Sequence, residues 1–395
     1  MTLPLEHLRV LDLTQAMAGP FCTMILGDMG ADVVKIEPPS GEVSRRAMGF
    51  KGKGDDTAAF IAINRNKRSL TLDLKSEEGR ELFYALAREA DVICENFRPG
   101  VTSRLGIDPD TIHGINPRLV YASISGFGQT GPHSQRAGFD LIAQGMAGVM
   151  SITGEPGGDP VKSGIPLSDL GAGLYCAFGV LSAVMVAERT GRGQAIDTSL
   201  FEAALSLGIW ETAELWTTGR VPQPTGSAHR LTAPYQAYRT SDGYLTVGGN
   251  NHKLWVSFCE AIGRHDFIED ERFATNEDRM ANRQELEHEV EAVLQKRTTE
   301  EWMEVMGEHG VPAGPIYNYA EVFEDPHTIE RGMLEQYEHP VEGTVNTLGL
   351  PLKLSETPGA IRRHAPLVGE HTAEVLREVG VDDERLAALR QSEVV

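Results

Sequence analysis

One uncharged stretch limits what this chain can become. From Leu170 to Ala187 there is no acidic or basic residue, and directly before the run stands a single carboxylate, Asp169. Eighteen such residues approach the length of a membrane span. Gly171, Gly173 and Gly179 thin the run, no second segment like it exists, and acidic sequence flanks it. The reading that fits is a helix buried on all sides inside a large domain. Ser168 is a good N-cap residue, which places Asp169 in the first turn. Two forces then oppose each other on that carboxylate. Apolar surroundings raise its pKa, while free backbone N–H groups and the helix dipole hold it ionised. An ionised, poorly hydrated carboxylate is a usable nucleophile; the bland alternative is an acid that merely supports a helix start.

The chain has 395 residues, more than one ordinary core accommodates, so two domains are expected. Its net charge of -21 argues against nucleic acid or an anionic membrane as partner, and any anionic ligand needs local basic groups. Cys22, Cys94, Cys176 and Cys259 are far apart, with no CxxC or Cys/His cluster to hold a metal. No secretory leader precedes the first strand, and a reducing cytoplasm is the expected location.

The first hundred residues alternate strand and helix. Leu8–Leu13, Asp32–Glu37, Ser69–Leu74, Val92–Asn96 and Arg118–Ser125 read as strands. Pro20–Met29 and Glu77–Ala90 read as helices, the first stopped by Gly30. This is βαβ patterning and implies a mostly parallel sheet. No GxGxxG follows the first strand, only Ala18-Gly19-Pro20, so a dinucleotide site is not signalled, although the helix start there can receive an anion. Val221–Ala233 reads as loop, Tyr235–Gly249 as a hairpin, and Lys253–Ile262, Arg283–Lys296 and Thr299–Glu308 as helices of a smaller α+β domain. Beyond Glu330 the chain reads as loop-rich, with a final helix near Thr372–Val379.

Several segments carry a resemblance: VLDLTQAMAGPFCTMILGDMGADVVKIEPPSG, NRNKRSLTLDLK, DVICENFRPG, the Asp169 stretch through TGRGQAIDTSLFEA, and APLVGEHT. In this order the chain resembles the class III coenzyme A transferases, the group of formyl-CoA and carnitine CoA transferases. The resemblance implies an α/β fold: a large Rossmann-like CoA-binding domain built from both chain ends, 1–220 and 330–395, and a small α+β domain, 221–329. It implies an interlocked homodimer, no permanently bound cofactor, and an acyl-CoA thioester as substrate. LSDLGAG matches the family's nucleophile position, so Asp169 is the implied catalytic residue, cycling through an aspartyl-CoA thioester. Family positions contacting CoA fall on Met17, Ala18, Leu72, Lys75, Asn96, Phe97 and Arg104. Lys75 and Arg104 can neutralise phosphates and Phe97 offers a face to adenine; the competing reading is surface charge and packing. Three departures stand out. Pro38 replaces an arginine, Met17 replaces a glutamine, and TGSAHRLTAPYQ replaces a glycine-rich mobile loop.

The patterns SQRAGFD, TGSAHRLTAPYQ and VGGNN resemble the branch acting on dicarboxylates. That branch implies succinyl-CoA as donor and glutarate, malate, citramalate, itaconate or mesaconate as partner, or an intramolecular mesaconyl-CoA transfer. Arg136, Phe139, His229 and Arg230 are the candidate acceptor-side residues, with Arg136, His229 and Arg230 the cations for a distal carboxylate. Two rival readings are an α-methylacyl-CoA racemase and a non-catalytic CoA-binding protein. The racemase needs a histidine where this chain has Phe139, and phenylalanine carries no proton.

Overall fold

The computed structural model describes residues 3–47 and 49–395. The chain divides into two compact units, one formed by the stretch to Met150 with Lys162–Gly219 and Ile329–Val395, the other by Ser151–Val161 and Arg220–Thr328. Ser151–Val161, placed in the large domain from sequence, groups with the second unit, where Gly226 donates its N–H to Gly154 O.

The first unit is organised by a six-stranded sheet of β1 (Arg9–Asp12), β2 (Asp32–Glu37), β3 (Lys67–Thr71), β4 (Val92–Glu95), β5 (Val120–Ser125) and β6 (Ala195–Ser199). All neighbours are parallel, in the order β3-β2-β1-β4-β5-β6. β1, β2, β4 and β5 are short, mainly apolar runs buried on both faces, as helices on either side require, whereas β3 (KRSLT) is buried but polar and the edge strand β6 is partly exposed. The order reverses direction between β1 and β4, and the crevice at the carboxyl ends of those two strands is where such sheets receive ligands. Helix α1 (Ala18–Asp28) follows β1, and Gly30, at φ 115°, makes the left-handed turn that returns the chain to β2.

The helix carrying Asp169 spans Leu167–Thr190 and packs against α1 and β5. Gly173 sets the closest approach. A Cβ there would stand 2.7 Å from Ala18 O, so only glycine lets the two helices meet one turn beyond Asp169. Two expectations are corrected. Ser168 is not the N-cap; Pro166 is, and it offers no side-chain cap. The cap comes instead from another helix: the Asp140 carboxylate accepts the Ser168 N–H at 2.9 Å. Nor is the helix buried on all sides. Ala172, Cys176, Val180, Ala183 and Ala187 face the core, while Leu174 (55% exposed) and Phe178 (72% exposed) stand open. By length and composition this helix could cross a membrane, yet half of its apolar window is buried in the chain's own core.

Among the elements that sequence reading missed are β6, the antiparallel hairpin Leu334–His339/Gly343–Leu348, and the helix Asp383–Gln391 that follows the expected last one. The hairpin strands are polar and largely exposed, so no apolar alternation marks them. The last helix starts at a sound N-cap, Asp382, which accepts from Arg385 N, and it buries only Leu386 and Leu389.

In the second unit β7 (Tyr235–Arg239), β8 (Tyr244–Gly248) and β9 (Ala313–Pro315) form an antiparallel sheet. Trp255, Phe258, Phe267 and Phe273 fill its core. Arg279 is buried there, its guanidinium 4.7 Å from the Trp255 ring and donating to Ala233 O and Phe273 O.

Candidate active site

A cavity of about 660 Å³ opens at the sheet's reversal point, and its lining is drawn from the first unit alone. Three chain segments leave strand ends to build it: Gln15–Ala18 after β1, Asn96–Pro99 after β4, and Ser125–Gly126 at the end of β5. Arg136–Phe139 and Asp169 complete the wall.

Asp169 occupies the third position of its helix, half-buried. Burial first, then the charge of Asp140, pushes its carboxyl up to about 7. Of the two opposed forces on this group, desolvation wins over the helix dipole. No side-chain cation is paired with it among the described residues. Asp140 therefore does two things at once. Its carboxylate holds the helix start through the Ser168 N–H and takes a second bond from Gln144 Nε2 at 2.8 Å, and its charge adds to burial in raising the Asp169 pKa.

The loop after β1 rests on buried charge. Asp12 accepts from Thr14 N and Thr14 Oγ1 with one oxygen and from Thr23 Oγ1 and Lys67 Nζ with the other. Burial would raise the Asp12 pKa, but Lys67 and Lys35 outweigh it and hold the carboxyl below its ordinary value. Lys67 is itself drawn down to about 8 by burial, against the pull of Asp12. Asn96, expected to contact CoA, spends its amide on this same loop. Its Oδ1 accepts from Gln15 N at 2.8 Å and its Nδ2 donates to Gln15 O at 2.7 Å.

The structure brings together Met17, Ala18, Asn96, Phe97, Arg136, Phe139 and Asp169. Leu72 is instead buried in the core beside Phe83 and Ile93, its N–H bonded to Glu37 O. Lys75 and Arg104 are exposed on the surface of the first unit, off the cavity wall. His229 and Arg230 lie in the second unit, where the His229 ring stands 5.0 Å from Tyr235 and Arg230 donates to Gln223 O. Sequence reasoning missed Gln15, Arg98, Ser125 and Asp140. Arg98 and Asp140 stand inside quoted motifs, NFRPG and GFD, and for Arg98 the closeness to the end of β4 was the available signal. Glu95 was also missed: buried beneath Asn96, it accepts the Phe97 N–H at 2.8 Å and burial pushes it to about 7. Three free cysteines distant in sequence, Cys22, Cys94 and Cys176, are buried in the same core cluster.

Residues 5–372 match the family model described as CoA-transferase family III. The chain is 35% identical to a succinyl-CoA:glutarate CoA-transferase of Homo sapiens, covering 99% of this chain and 90% of that protein. It is 40% identical to a succinyl-CoA:mesaconate CoA-transferase of Haloarcula hispanica, covering 95% and 96%. The crystal structure of a CAIB/BAIF family protein from Brucella suis superposes with a TM-score of 0.86 at 37% identity, covering 96% of this chain and all of the other.

Proposed function

The chain belongs to CoA-transferase family III, and we propose that it moves CoA from succinyl-CoA, or a related dicarboxyl-CoA, to a short dicarboxylic acid with Asp169 as covalent carrier. The observation that carries this reading is the isolated carboxylate at the cavity wall, poised near pH 7 by burial and by Asp140. In its ionised form an Asp169 oxygen attacks the donor thioester carbonyl, the C–S bond breaks, and CoA leaves as thiolate. A mixed anhydride remains. The thiolate attacks the aspartyl carbonyl, the donor acid departs as carboxylate, and an aspartyl-CoA thioester results. The acceptor carboxylate attacks that thioester and again expels CoA thiolate. The thiolate then takes the acceptor acyl group and frees Asp169. Each tetrahedral step places charge on a carbonyl oxygen. The start of α1 has no side-chain cap and reaches the cavity at Ala18, so its free N–H groups are suited to receive that charge.

Met17 and Phe97 supply apolar wall for the pantetheine arm, and Lys75 and Arg104 are the surface cations for CoA phosphates. Arg136 is the cation of the cavity wall that suits a distal carboxylate; it lies 5.8 Å from the Phe127 ring. A second carboxylate is costly to dehydrate without such a partner. His229 and Arg230 would serve the same end if the small domain, 221–329, covers the CoA-binding domain of a second copy. A second copy also suits the open face of the Leu167–Thr190 helix and the exposed Ile209 and Trp216, the last 79% exposed. The assembly proposed is the interlocked homodimer, working in the cytoplasm.

Phe139 forms part of the wall where a racemase needs a base, so no α-proton exchange is expected. A panel of acids offered with succinyl-CoA, products read by mass spectrometry, tests the reading. Glutarate, mesaconate or a similar diacid should be converted well ahead of butyrate. Equal conversion of butyrate would remove the dicarboxylate assignment, and deuterium entering the α-carbon of 2-methylacyl-CoA in deuterated water would favour the racemase.

A further inference from the structure

The segment Leu13–Met17 leaves β1, turns through an unfavourable backbone conformation, and delivers Met17 and Ala18 to the cavity. Ala16 sits at φ 64°, a left-handed value that a residue with a Cβ seldom adopts. Something must hold it there, and the bonds on either side are unusually complete. Leu13 N–H goes to Cys94 O, Thr14 N–H to Asp12 Oδ1, and Thr14 O receives Lys35 Nζ at 2.9 Å. The residue directly before the twist, Gln15, is held by one side chain. Asn96 meets both its N–H and its C=O with a planar amide, as a neighbouring strand would.

We infer that Asn96 is a positioning residue for the transfer reaction, its side chain fixing the Gln15–Ala18 turn against Asp169. The long helix crosses the first turn of α1 at Gly173, four residues past Asp169, so a shift of Ala18 moves the wall opposite the reacting carboxylate. Thr14, fully buried, holds the same turn from beneath through its hydroxyl bond to Asp12. The two side chains differ in access to the cavity: Asn96 is on its wall and Thr14 is not. They share only the turn.

The inference rests on Asp169 as the covalent carrier, and its test separates the two claims. Single-turnover formation of the Asp169 adduct from succinyl-CoA, trapped with hydroxylamine, is measured beside the CoA dissociation constant for wild type, Asn96→Ala, Asn96→Asp and Thr14→Val. Positioning predicts that Asn96→Ala and Thr14→Val each slow adduct formation by about tenfold or more while CoA affinity stays within about twofold, since small misplacements near reacting atoms are expensive in rate. Asn96→Asp keeps the acceptor for Gln15 N–H and loses the donor, so its rate should fall between. A contact role predicts the reverse for Asn96→Ala, weaker CoA with an unchanged rate. That result, or a wild-type rate in Thr14→Val, overturns the inference. Absence of any Asp169 adduct in the wild type overturns the carrier reading instead.

Discussion

Two aspartates of the first unit, Asp12 and Asp169, behave in opposite ways. Asp12 ends β1, fully enclosed, with Lys67 at 2.9 Å, two threonine hydroxyls and a backbone N–H on its oxygens. Asp169 opens a helix with no paired cation among the described residues and with a second carboxylate, Asp140, acting on it. The first is driven below its ordinary pKa and the second is pushed up to about 7. Burial acts on both in the same direction, so the difference lies in their partners. A carboxylate whose lone pairs are all engaged is scaffold. One kept from water without compensation is available for chemistry, and its charge is held at a cost to stability.

The largest effect should come from breaking the paired site. Lys67→Met leaves Asp12 charged in the core without its paired cation, which typically costs about 3–5 kcal/mol, read as a fall in the denaturant midpoint at unchanged slope. Because the Asp12 pKa is lower folded than unfolded, its stabilisation is present above the unfolded value and is lost as pH falls through the folded one. A variant as stable as wild type at pH 7 would show that the pair does not hold the loop. Next in size, Arg136→Ala should raise the KM for the diacid while leaving CoA affinity alone. A hydrogen bond between charged groups is worth about 1.5–3 kcal/mol, or roughly 10- to 150-fold. Arg136→Lys should recover only part, lacking the planar fork.

Asp169 offers the opposite test. Its folded pKa stands above its unfolded one, so the native state binds the extra proton and loses relative stability as pH rises from roughly 4 to 7. Asp169→Asn should therefore be inactive yet melt higher than wild type at pH 8, with the gap closing toward pH 4. A lower melting point at pH 8 would mean the carboxylate is compensated after all. Smallest is Asp140→Asn. The amide oxygen can still accept the Ser168 N–H, but the charge is gone, so the acid limb of the rate profile should move to lower pH. An unmoved limb would leave burial alone responsible.

Much of the fold was legible because it obeys local rules. Asp32–Glu37 and Thr299–Glu308 fall where apolar periodicity and turn residues put them. The place of Asp169 in a first helical turn was legible too, from the lone acid ahead of an uncharged run. The missed elements are those that packing rather than pattern creates. The polar Leu334–His339 hairpin strand carries too few apolar residues to be marked by alternation. The helix cap was misplaced because Asp140, 28 residues upstream, supplies it through space. Asn96 illustrates the limit of a motif. Its place in the ENF run was readable, while the partner that occupies its amide, Gln15, lies 81 residues away and is set only by β1 and β4 pairing side by side.

The account stands on Asp169 as the carrier, and the pH dependence of its adduct tests this most directly. Wild-type protein mixed with succinyl-CoA, quenched within one turnover and digested, should yield a peptide modified at Asp169. The rate of its formation should rise with pH around a midpoint near 7, as the buried carboxyl ionises. Modification of another residue, or turnover with no covalent species at any pH, would contradict the account.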